Sequence, residues 1–391
     1  MEREGRRMIR GSAMFYIVAG EASGDRHGAE LLRELKKSYP ESSFTGVGGR
    51  HLRNAGQEQL FDLAEHAVVG LTDVLLNYFK FKRFFERVLA DMRAKEPEVL
   101  ILIDFPGFNL RLLERVKAEL PNTKVVYYIS PQVWAWKAGR AKKMAQQIDL
   151  LLVIFPFEKD WFAEKTPGFR VEWVGHPILD RWDVDRAVTP WRELPQRVLL
   201  LPGSRRKEIT AHMPVFVETA RQLAGYFSGL SFVILAADAD AERLIQKEIQ
   251  KAGAEHLGME IRSGYQLTHL SRARLALVAS GTATLECALA GVPMLVVYKT
   301  NPITYWIGRR LVKLEFLSIV NLIAGKKVVP EFLQSKARPE YLVEAAKLLL
   351  ESEEASEGMR GNLGTVVGKL GKAGANQEAV VKIREFLISH L

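Results

Sequence analysis

The sequence predicts an α/β protein of two similar domains, each built on a parallel sheet. Short, nearly continuous apolar runs alternate with longer amphipathic stretches, as expected for βαβ units whose strands are buried on both faces. The alternation starts again after a charged stretch rich in Trp and Pro, Asp180–Gln196, which is typical of a linker. With 391 residues the chain is long enough for more than one core. We therefore expect domains at 1–185 and 186–391.

Each domain has its own series of predicted strands and helices. In the first domain the apolar runs predict strands at Met14–Ala19, Glu98–Ile103, Lys124–Ile129, Leu150–Ile154 and Val171–Val174. Helical periodicity predicts helices between them, among them Ala29–Lys37 and Asn109–Leu120. In the second domain the strands are Arg197–Leu201, Ser231–Leu235, Leu275–Val278 and Pro293–Tyr298, with helices such as Val215–Leu223 and Ala239–Lys251. The remainder, from Arg338 to Leu391, is helical in pattern and is assigned to the second domain.

The amino-acid composition favours some classes of partner and excludes some kinds of site. A formal net charge of +9 favours anionic partners, namely nucleic acid, acidic lipid headgroups or phosphorylated substrates. Cys287 is the only cysteine, which excludes an intrachain disulfide and a cysteine-based zinc site. The histidines form no HExxH motif or cluster, so we predict no metal site and no cofactor. The apolar run before Gly20 is too short for a secretory signal, and no stretch offers the roughly 20 apolar residues of a membrane span.

The loops that follow the strands are the first places to look for chemistry, because open parallel sheets bind ligands beyond the carboxyl ends of their strands. After the first strand comes G-E-A-S-G-D, in which Glu21 is the residue least needed for a turn. Asp104 follows a strongly apolar strand, an environment that raises the basicity of a carboxylate and suits a general base. The simpler alternatives are an ordinary turn at Glu21 and a helix cap at Asp104.

The second domain contains two loops typical of phosphate binding. In the first, Gly203 permits close approach of the backbone, and Ser204 and Arg205 form an anion site with the following helix N-terminus. In the second, Ser280, Gly281 and Thr282 lead into a helix, and their backbone N–H groups suit a diphosphate. Glu286, one turn further on, suits the two hydroxyls of a ribose. Plain turns with side-chain caps are the alternative for both loops.

Two further segments combine aromatic and basic residues. Trp134 and Trp136 stand beside Lys137, Arg140, Lys142 and Lys143, which suits ring stacking, a lipid interface or phosphate binding, or else core tryptophans beside a solvated helix. The segment Leu71–Leu89 has the composition of an interfacial helix that meets anionic lipid, with a buried helix as the alternative. The residues predicted to contact the membrane are Leu75, Leu76, Phe79, Lys80, Phe81, Lys82, Arg83, Phe84 and Phe85.

A series of short motifs resembles one known family. In order along the chain they are A-G-E-A-S-G-D, I-D-F-P-G-F-N, S-P-Q-V-W-A-W, F-P-F-E-K, V-G-H-P, L-P-G-S-R, S-G-T-A-T-L-E and N-L-I-A-G-K-K-V-V-P-E-F-L-Q. Together they resemble the bacterial lipid-A-disaccharide synthases, from about residue 14 to residue 334. The resemblance implies a GT-B glycosyltransferase with two Rossmann-like, doubly wound domains that face a central cleft.

The resemblance also implies a reaction and a set of roles. An inverting transfer would move 2,3-diacylglucosamine from UDP to the 6-hydroxyl of 2,3-diacylglucosamine 1-phosphate, giving a β-1,6 disaccharide and UDP. By motif matching, Asp104 is the family's candidate base and Glu21 a second carboxylate at the site. On the donor side the matched residues are Gly203, Ser204, Arg205, Ser280, Gly281, Thr282, Glu286 and Asn321, with no metal.

The implied lipid substrates place the protein at a membrane surface. We expect a cytoplasmic protein, peripheral on the anionic inner face of the cytoplasmic membrane, and the sequence is also compatible with a homodimer. The rival enzymes are other UDP-sugar proteins of the GT-B fold, such as a peptidoglycan glycosyltransferase or an epimerase. A basic nucleic-acid-binding protein is disfavoured, because no recognised nucleic-acid module is present and the cations are spread over both halves.

Overall fold

The computed structural model describes residues 12–62, 78–182, 189–263, 267–301 and 315–389. The chain forms two compact units, one containing the residues up to Asp180 together with those from Lys372 onwards, and the other Arg181–Gly371. Each unit is a parallel sheet with helices in the connections, so the predicted fold class is confirmed.

The first unit is built on a 7-stranded parallel sheet in the order β3-β2-β1-β4-β5-β6-β7. Its strands are β1 Met14–Ala19, β2 Ser43–Gly48, β3 Glu58–Asp62, β4 Val99–Ile103, β5 Lys124–Tyr128, β6 Leu150–Val153 and β7 Val171–Trp173. Its helices up to β7 are α1 Ala22–Ser38, α2 Arg50–Asn54, α3 Tyr78–Lys95, α4 Pro106–Glu119, α5 Val133–Trp136, α6 Arg140–Gln147 and α7 Pro156–Lys165.

The second unit has a 6-stranded sheet in the order β10-β9-β8-β11-β12-β13. Its strands are β8 Arg197–Leu201, β9 Ser231–Ala236, β10 Glu260–Ser263, β11 Leu275–Ala279, β12 Met294–Tyr298 and β13 Glu331–Leu333. Its described helices are α8 Arg206–Tyr226, α9 Ala239–Lys251, α10 Leu267–Leu270, α11 Ala283–Leu289, α12 Ile319–Ala324, α13 Pro339–Glu351 and α14 Glu353–Gly368.

The strands predicted from apolar runs are all present, and the central ones are buried on both faces. Every residue of β4, V-L-I-L-I, is fully buried between the two helical layers. The strands that the sequence analysis did not find are β2, β3, β10 and β13, which contain glycine or charged residues and lie towards the sheet edges. Apolar patterning therefore identifies the central strands of each sheet and, of the four edge strands, only β7.

The final helix, α15 at Ala375–Ile388, corrects the predicted domain assignment. The sequence analysis places the whole helical tail in the second domain, yet α15 belongs to the first unit and packs on α1. Its N-terminus is capped by Asp180, which accepts hydrogen bonds from the N–H groups of Gly374 at 2.6 Å and Ala375 at 3.1 Å. Long-range packing of this kind leaves no local signal in the sequence.

No described helix is both long enough and apolar enough to cross a membrane. The stretch Leu275–Tyr298, the nearest candidate in the sequence, instead contains β11, α11 and β12.

Candidate active site

The predicted loops lie at the two points where strand order reverses. In the first unit β1 and β4 are neighbours in parallel register, with Ala19 opposite Ile103, so Gly20 and Asp104 leave the sheet at the same level. In the second unit β8 and β11 are neighbours with Leu201 opposite Val278, which brings the loops at Gly203 and Ser280 to one edge. Such switch points are where open α/β sheets bind ligands.

The backbone of Asp104 is held in an unusual conformation by its surroundings. Asp104 and Phe105 have φ angles of 43° and 48°, in the left-handed region that non-glycine residues seldom adopt. The carbonyl oxygen of Asp104 accepts hydrogen bonds from Tyr127 Oη at 2.6 Å and Asn109 Nδ2 at 2.7 Å. Its N–H donates to the carbonyl of Tyr128 at 3.2 Å. A strained backbone fixed by neighbouring groups is characteristic of functional sites.

The negative charge of Asp104 affects the pKa of the neighbouring Tyr127. Burial raises the pKa of Tyr127 well above its usual value, and the negative charge of Asp104 raises this pKa further. The hydroxyl of Tyr127 therefore remains protonated as a hydrogen-bond donor. Asp104 itself is half-buried, which leaves its carboxylate partly open to solvent. The position of Asp104 at the end of β4 and its partial exposure suit a base that must reach a substrate hydroxyl.

Close packing joins the two loops at this switch point. A Cβ on Gly20 would lie 2.0 Å from the ring of Phe105, so only glycine fits at this position. Phe105 in turn stacks on Phe108 with ring centroids 5.7 Å apart. Glu21, half-buried, follows Gly20 and precedes α1 without capping that helix through its side chain. The loop that contains Glu21 therefore adjoins the Asp104 loop, and the role of Glu21 stays a prediction.

Asp25 has a structural role that the sequence analysis misses. Its carboxylate is buried and accepts hydrogen bonds from the N–H groups of Gly49 at 2.7 Å, His51 at 2.8 Å and Leu52 at 3.0 Å. Asp25 lies in the first turn of α1 but caps α2, which follows the next strand.

The tryptophan segment packs against a buried carboxylate. Trp134 Nε1 donates to Glu158 Oε1 at 2.9 Å, and Glu158 Oε2 accepts from the N–H groups of Ile154 and Phe155. Burial raises the pKa of Glu158 to about 7. His176 is also buried, accepts from the Ile178 N–H at 3.1 Å and lies beside Phe155. These contacts favour the structural alternative for Trp134; the side chain of Trp136 lies outside the described residues.

In the first loop of the second unit, a protein carboxylate occupies the predicted anion site. Glu208 Oε2 accepts hydrogen bonds from the N–H groups of Ser204 at 3.2 Å and Arg205 at 3.3 Å, forming a capping box at the start of α8. Arg205 Nη1 also lies 3.4 Å from Glu208 Oε1. Gly203 has a φ angle of 108° and is packed against Glu208. Diphosphate at this loop would replace contacts that Glu208 now makes.

The second loop of this unit joins β11 to the start of α11. Ser280 follows β11 directly, with its N–H bonded to Val297 and its hydroxyl to the carbonyl of Leu317. Gly281 has a φ angle of 159°, in extended backbone, and its carbonyl accepts from Thr284 Oγ1 at 2.7 Å. Thr282 is exposed just before α11, and Glu286 is half-buried one turn into that helix. The exposed turn leaves space for a ligand, and the ribose role of Glu286 stays a prediction.

His212, which was not among the predicted site residues, connects the loop at Gly203 to the end of β12. His212, on α8, is fully buried; its Nδ1 lies 2.9 Å from the Pro202 carbonyl and its Nε2 accepts from the Lys299 N–H at 3.0 Å. This pairing requires a neutral ring with the proton on Nδ1, and burial lowers the pKa of His212 accordingly. The ring thus fixes the chain immediately before Gly203 to the end of β12.

Asn321 has a different environment from the one its predicted role requires. Its amide nitrogen donates to the Val329 carbonyl at 2.9 Å and to Glu331 at 2.8 Å, while its oxygen accepts from the N–H groups of Val328 and Val329. The side chain is fully buried and its hydrogen-bonding capacity is used within the protein. These contacts make Asn321 a scaffold for the 328–331 segment and argue against direct contact with the donor.

Part of the predicted membrane segment lies within the described residues. Leu75 and Leu76 lie outside them, as do the side chains of Phe79, Lys80 and Phe81, although α3 begins at Tyr78. Lys82 and Arg83 are exposed, whereas Phe84 packs on Phe61 and Phe85 on Phe108, with ring centroids 5.1 Å and 5.5 Å apart. The two described phenylalanines therefore face the protein, and the exposed part of α3 here is basic.

Within the described ranges, no group of three or more His, Cys, Asp or Glu side chains is arranged to hold a metal ion.

Two parallel-sheet α/β units, each with candidate loops at its switch point, are the architecture of the GT-B fold. Solved neighbours share the fold: the MnaA–UDP structure from S. aureus has a TM-score of 0.65 at 13% identity, covering 96% of both chains. CalG4, the calicheamicin glycosyltransferase, has a TM-score of 0.56 at 14% identity, covering 96% of this chain and 98% of that one. At such identities the likeness concerns the fold alone.

Sequence similarity defines the family. The family model described as lipid-A-disaccharide synthetase matches residues 15–379. A curated relative named lipid-A-disaccharide synthase, from Geobacter metallireducens, is 39% identical over 377 residues, covering 95% of this chain and 96% of the relative. The chain belongs to the lipid-A-disaccharide synthase family, as its motifs predict, and is therefore a glycosyltransferase.

Proposed function

We propose that this protein condenses UDP-2,3-diacylglucosamine with 2,3-diacylglucosamine 1-phosphate to form the β-1,6-linked lipid A disaccharide 1-phosphate and UDP. Family membership along almost the whole chain supports the reaction. One observation supports the proposed active site: hydrogen bonds to its backbone hold Asp104 at the β1/β4 switch point, next to the Glu21 loop.

The proposed chemistry is a single in-line displacement. Asp104 takes the proton from the acceptor 6-hydroxyl while this oxygen bonds to the anomeric carbon of the donor, and the bond from that carbon to the UDP oxygen breaks. An α-linked donor then gives a β-linked product. Glu21, in the adjoining loop, orients the acceptor and adds negative charge near the developing positive charge of the sugar.

The second unit is proposed to bind UDP. Arg205 meets the diphosphate, the N–H groups of Ser204 and of the turn at Ser280, Gly281 and Thr282 donate to it, and Glu286 binds the ribose. For diphosphate to reach Ser204 and Arg205, the carboxylate of Glu208 must give up the two N–H groups that it now caps. Arg205 is exposed and ends close to this carboxylate, so it is placed to meet an anion that enters there.

Both proposed substrates carry acyl chains, so the enzyme is proposed to work on the inner face of the cytoplasmic membrane. The exposed cations Lys82 and Arg83 on α3 support electrostatic attachment to anionic lipid. Phe84 and Phe85 pack on the protein. Insertion by Leu75, Leu76, Phe79 and Phe81, whose side chains lie outside the described residues, remains part of the proposal.

The test is UDP release by the purified protein from UDP-2,3-diacylglucosamine in detergent micelles, with and without the phosphorylated acceptor. We expect UDP release only when acceptor is present, with a disaccharide 1-phosphate of matching mass. An epimerase would isomerise the sugar without acceptor-dependent UDP release, and that result would overturn the proposal.

A further inference from the structure

A basic pocket lies beside the Asp104 loop, within the first unit. It has a volume of about 270 Å³ and is formed by the start of α4 and the length of α6. Its polar lining consists of Arg111, Glu114, Arg140, Lys143 and Gln147, above an apolar floor of Leu110 and Met144. Pro106 and Gly107, which follow Asp104 by two and three residues, form the rim nearest the proposed base.

The charge of this pocket matches a phosphate group. Three cations and one carboxylate line it, and the carboxylate of Glu114 contacts Lys143 Nζ at 2.5 Å. The lining therefore keeps an excess of two positive charges, which a phosphate dianion would neutralise. The positive field extends to Lys137 on the loop before α6, whose pKa is lowered by partial burial and by the charge of Arg140.

The start of α4 adds to this field. This helix of 14 residues begins with Pro106, which has no N–H, and the Phe105 side chain makes no capping hydrogen bond. The N–H of Phe108 donates to the Phe105 carbonyl at 3.2 Å, which leaves the N–H of Gly107 as the first-turn donor. Apart from its chain neighbours and the backbone of its own helix, no heavy atom lies within 4 Å of the position that a Cβ on Gly107 would occupy, so this side of the helix is open. A helix N-terminus that carries no capping carboxylate reinforces anion binding by the three cations.

We propose that this pocket binds the 1-phosphate of the acceptor and so orients the sugar towards Asp104. The inference rests on the proposed function for its substrate, and it adds the residues that recognise the phosphate: Arg111, Arg140 and Lys143. The phosphate is on C1 and the 6-hydroxyl is on the CH2 arm of C5, and these two carbons flank the ring oxygen of one sugar. A pocket that begins two residues beyond the base is therefore suitably placed to hold one while the base reaches the other.

The first arm of the test measures kinetics with two acceptors, one with the 1-phosphate and one without it. For Arg111→Ala and Lys143→Ala we expect KM for the phosphorylated acceptor to rise about tenfold, since a charge-assisted hydrogen bond is lost. The KM for the acceptor without phosphate should stay unchanged. Lys142→Ala is the matched control, because Lys142 is exposed on the same helix and does not line the pocket.

The second arm measures binding of glucosamine 1-phosphate and of glucosamine to the full chain by NMR titration, which needs no turnover. The wild type should bind only the phosphorylated sugar, and both pocket variants should lose this binding. If the wild type proves inactive but this pattern holds, the proposed function fails and the pocket stands. If the variants bind the phosphate as the wild type does, the pocket assignment is wrong.

The third arm separates the acceptor phosphate from a lipid headgroup, which has the same chemistry. Binding to vesicles of phosphatidylglycerol and phosphatidylcholine is compared for the wild type, the two pocket variants and Lys142→Ala. We expect equal binding by all four. Weaker vesicle binding by the pocket variants, with unchanged discrimination between the two acceptors, would assign the pocket to membrane headgroups and overturn the proposal.

Discussion

The hydroxyl of Tyr127 donates a 2.6 Å hydrogen bond to the backbone carbonyl of Asp104, tying the proposed base to the neighbouring strand β5. The adjacent Tyr128 uses its hydroxyl differently and donates to Asn376 Oδ1 at 3.0 Å, on the C-terminal helix α15. Comparing substitutions of the two tyrosines therefore separates loss of positioning of Asp104 from a general loss of stability.

Tyr127→Phe is expected to lower both stability and turnover. Loss of one buried hydrogen bond should cost about 1 kcal/mol in the free energy of unfolding, measured by urea denaturation. Because the left-handed backbone at Asp104 loses one of its supports, kcat should fall about fivefold while the donor KM is unchanged. Tyr128→Phe is the control and should lose similar stability with normal kcat; equal kcat losses in both variants would refute the positioning role.

His212→Phe should weaken donor binding more than acceptor binding. The variant keeps the buried ring but leaves the Pro202 carbonyl and the Lys299 N–H without their partner, so the loop at Gly203 loses its anchor. We expect the dissociation constant of UDP, measured by calorimetry, to rise about tenfold, which corresponds to about 1.4 kcal/mol.

Thr219→Val is the matched control for His212. Thr219 is also fully buried on α8, and its hydroxyl bonds only within the helix, to the Val215 carbonyl at 2.7 Å. This variant should lose stability without a change in UDP affinity. An equal loss of UDP affinity in both variants would show that general destabilisation, rather than loop anchoring, is responsible.

Glu158 should make stability depend on pH. Its pKa in the folded protein is about 7, raised by burial from an ordinary value of 4.5. Between these pH values the folded state binds more protons than the unfolded state, so the free energy of unfolding should decrease as pH rises through this window. Urea midpoints from pH 5 to pH 8 should fall for the wild type and vary less for Glu158→Gln. Parallel pH profiles would contradict the assignment.

Substitutions of basic and of aromatic residues in α3 should have different effects, the first on membrane binding and the second on stability. Lys82→Glu combined with Arg83→Glu should reduce binding to anionic vesicles with little change in stability, because both side chains are exposed. Phe85→Ala should instead lower the free energy of unfolding by about 3 kcal/mol, since the ring packs on Phe108. Vesicle flotation and urea denaturation test the pair, and normal flotation of the double variant would refute the proposed surface.

Local patterns in the sequence predict the central parts of this molecule. The apolar strands β1, β4, β8 and β11 are evident because parallel strands are buried on both faces, and the loops after them hold the candidate residues. Asp104 could be selected because it follows a strongly apolar strand, and Glu21 because it is the residue of its loop that a turn needs least. Their arrangement on adjoining loops follows from strand order, which the structure supplies.

Contacts between residues distant in sequence could not be predicted in this way. Asp180 caps a helix that begins 195 residues later, and Asp25 caps α2 rather than its own helix. The side-chain amide of Asn321 makes its hydrogen bonds within the protein, and the carboxylate of Glu208 occupies the predicted anion site. Neither contact could be read from the sequence. Motifs identify which residues matter, but hydrogen-bond partners decide whether each one is free to bind substrate.

The most direct test of the account is the turnover of Asp104→Asn. Asparagine tolerates the left-handed backbone at this position and keeps the shape of the side chain, so the variant should fold and bind UDP as the wild type does. We expect kcat for acceptor-dependent UDP release to fall roughly a hundredfold or more, because the acceptor hydroxyl loses its base. A folded Asp104→Asn protein with near-normal kcat would contradict the central claim.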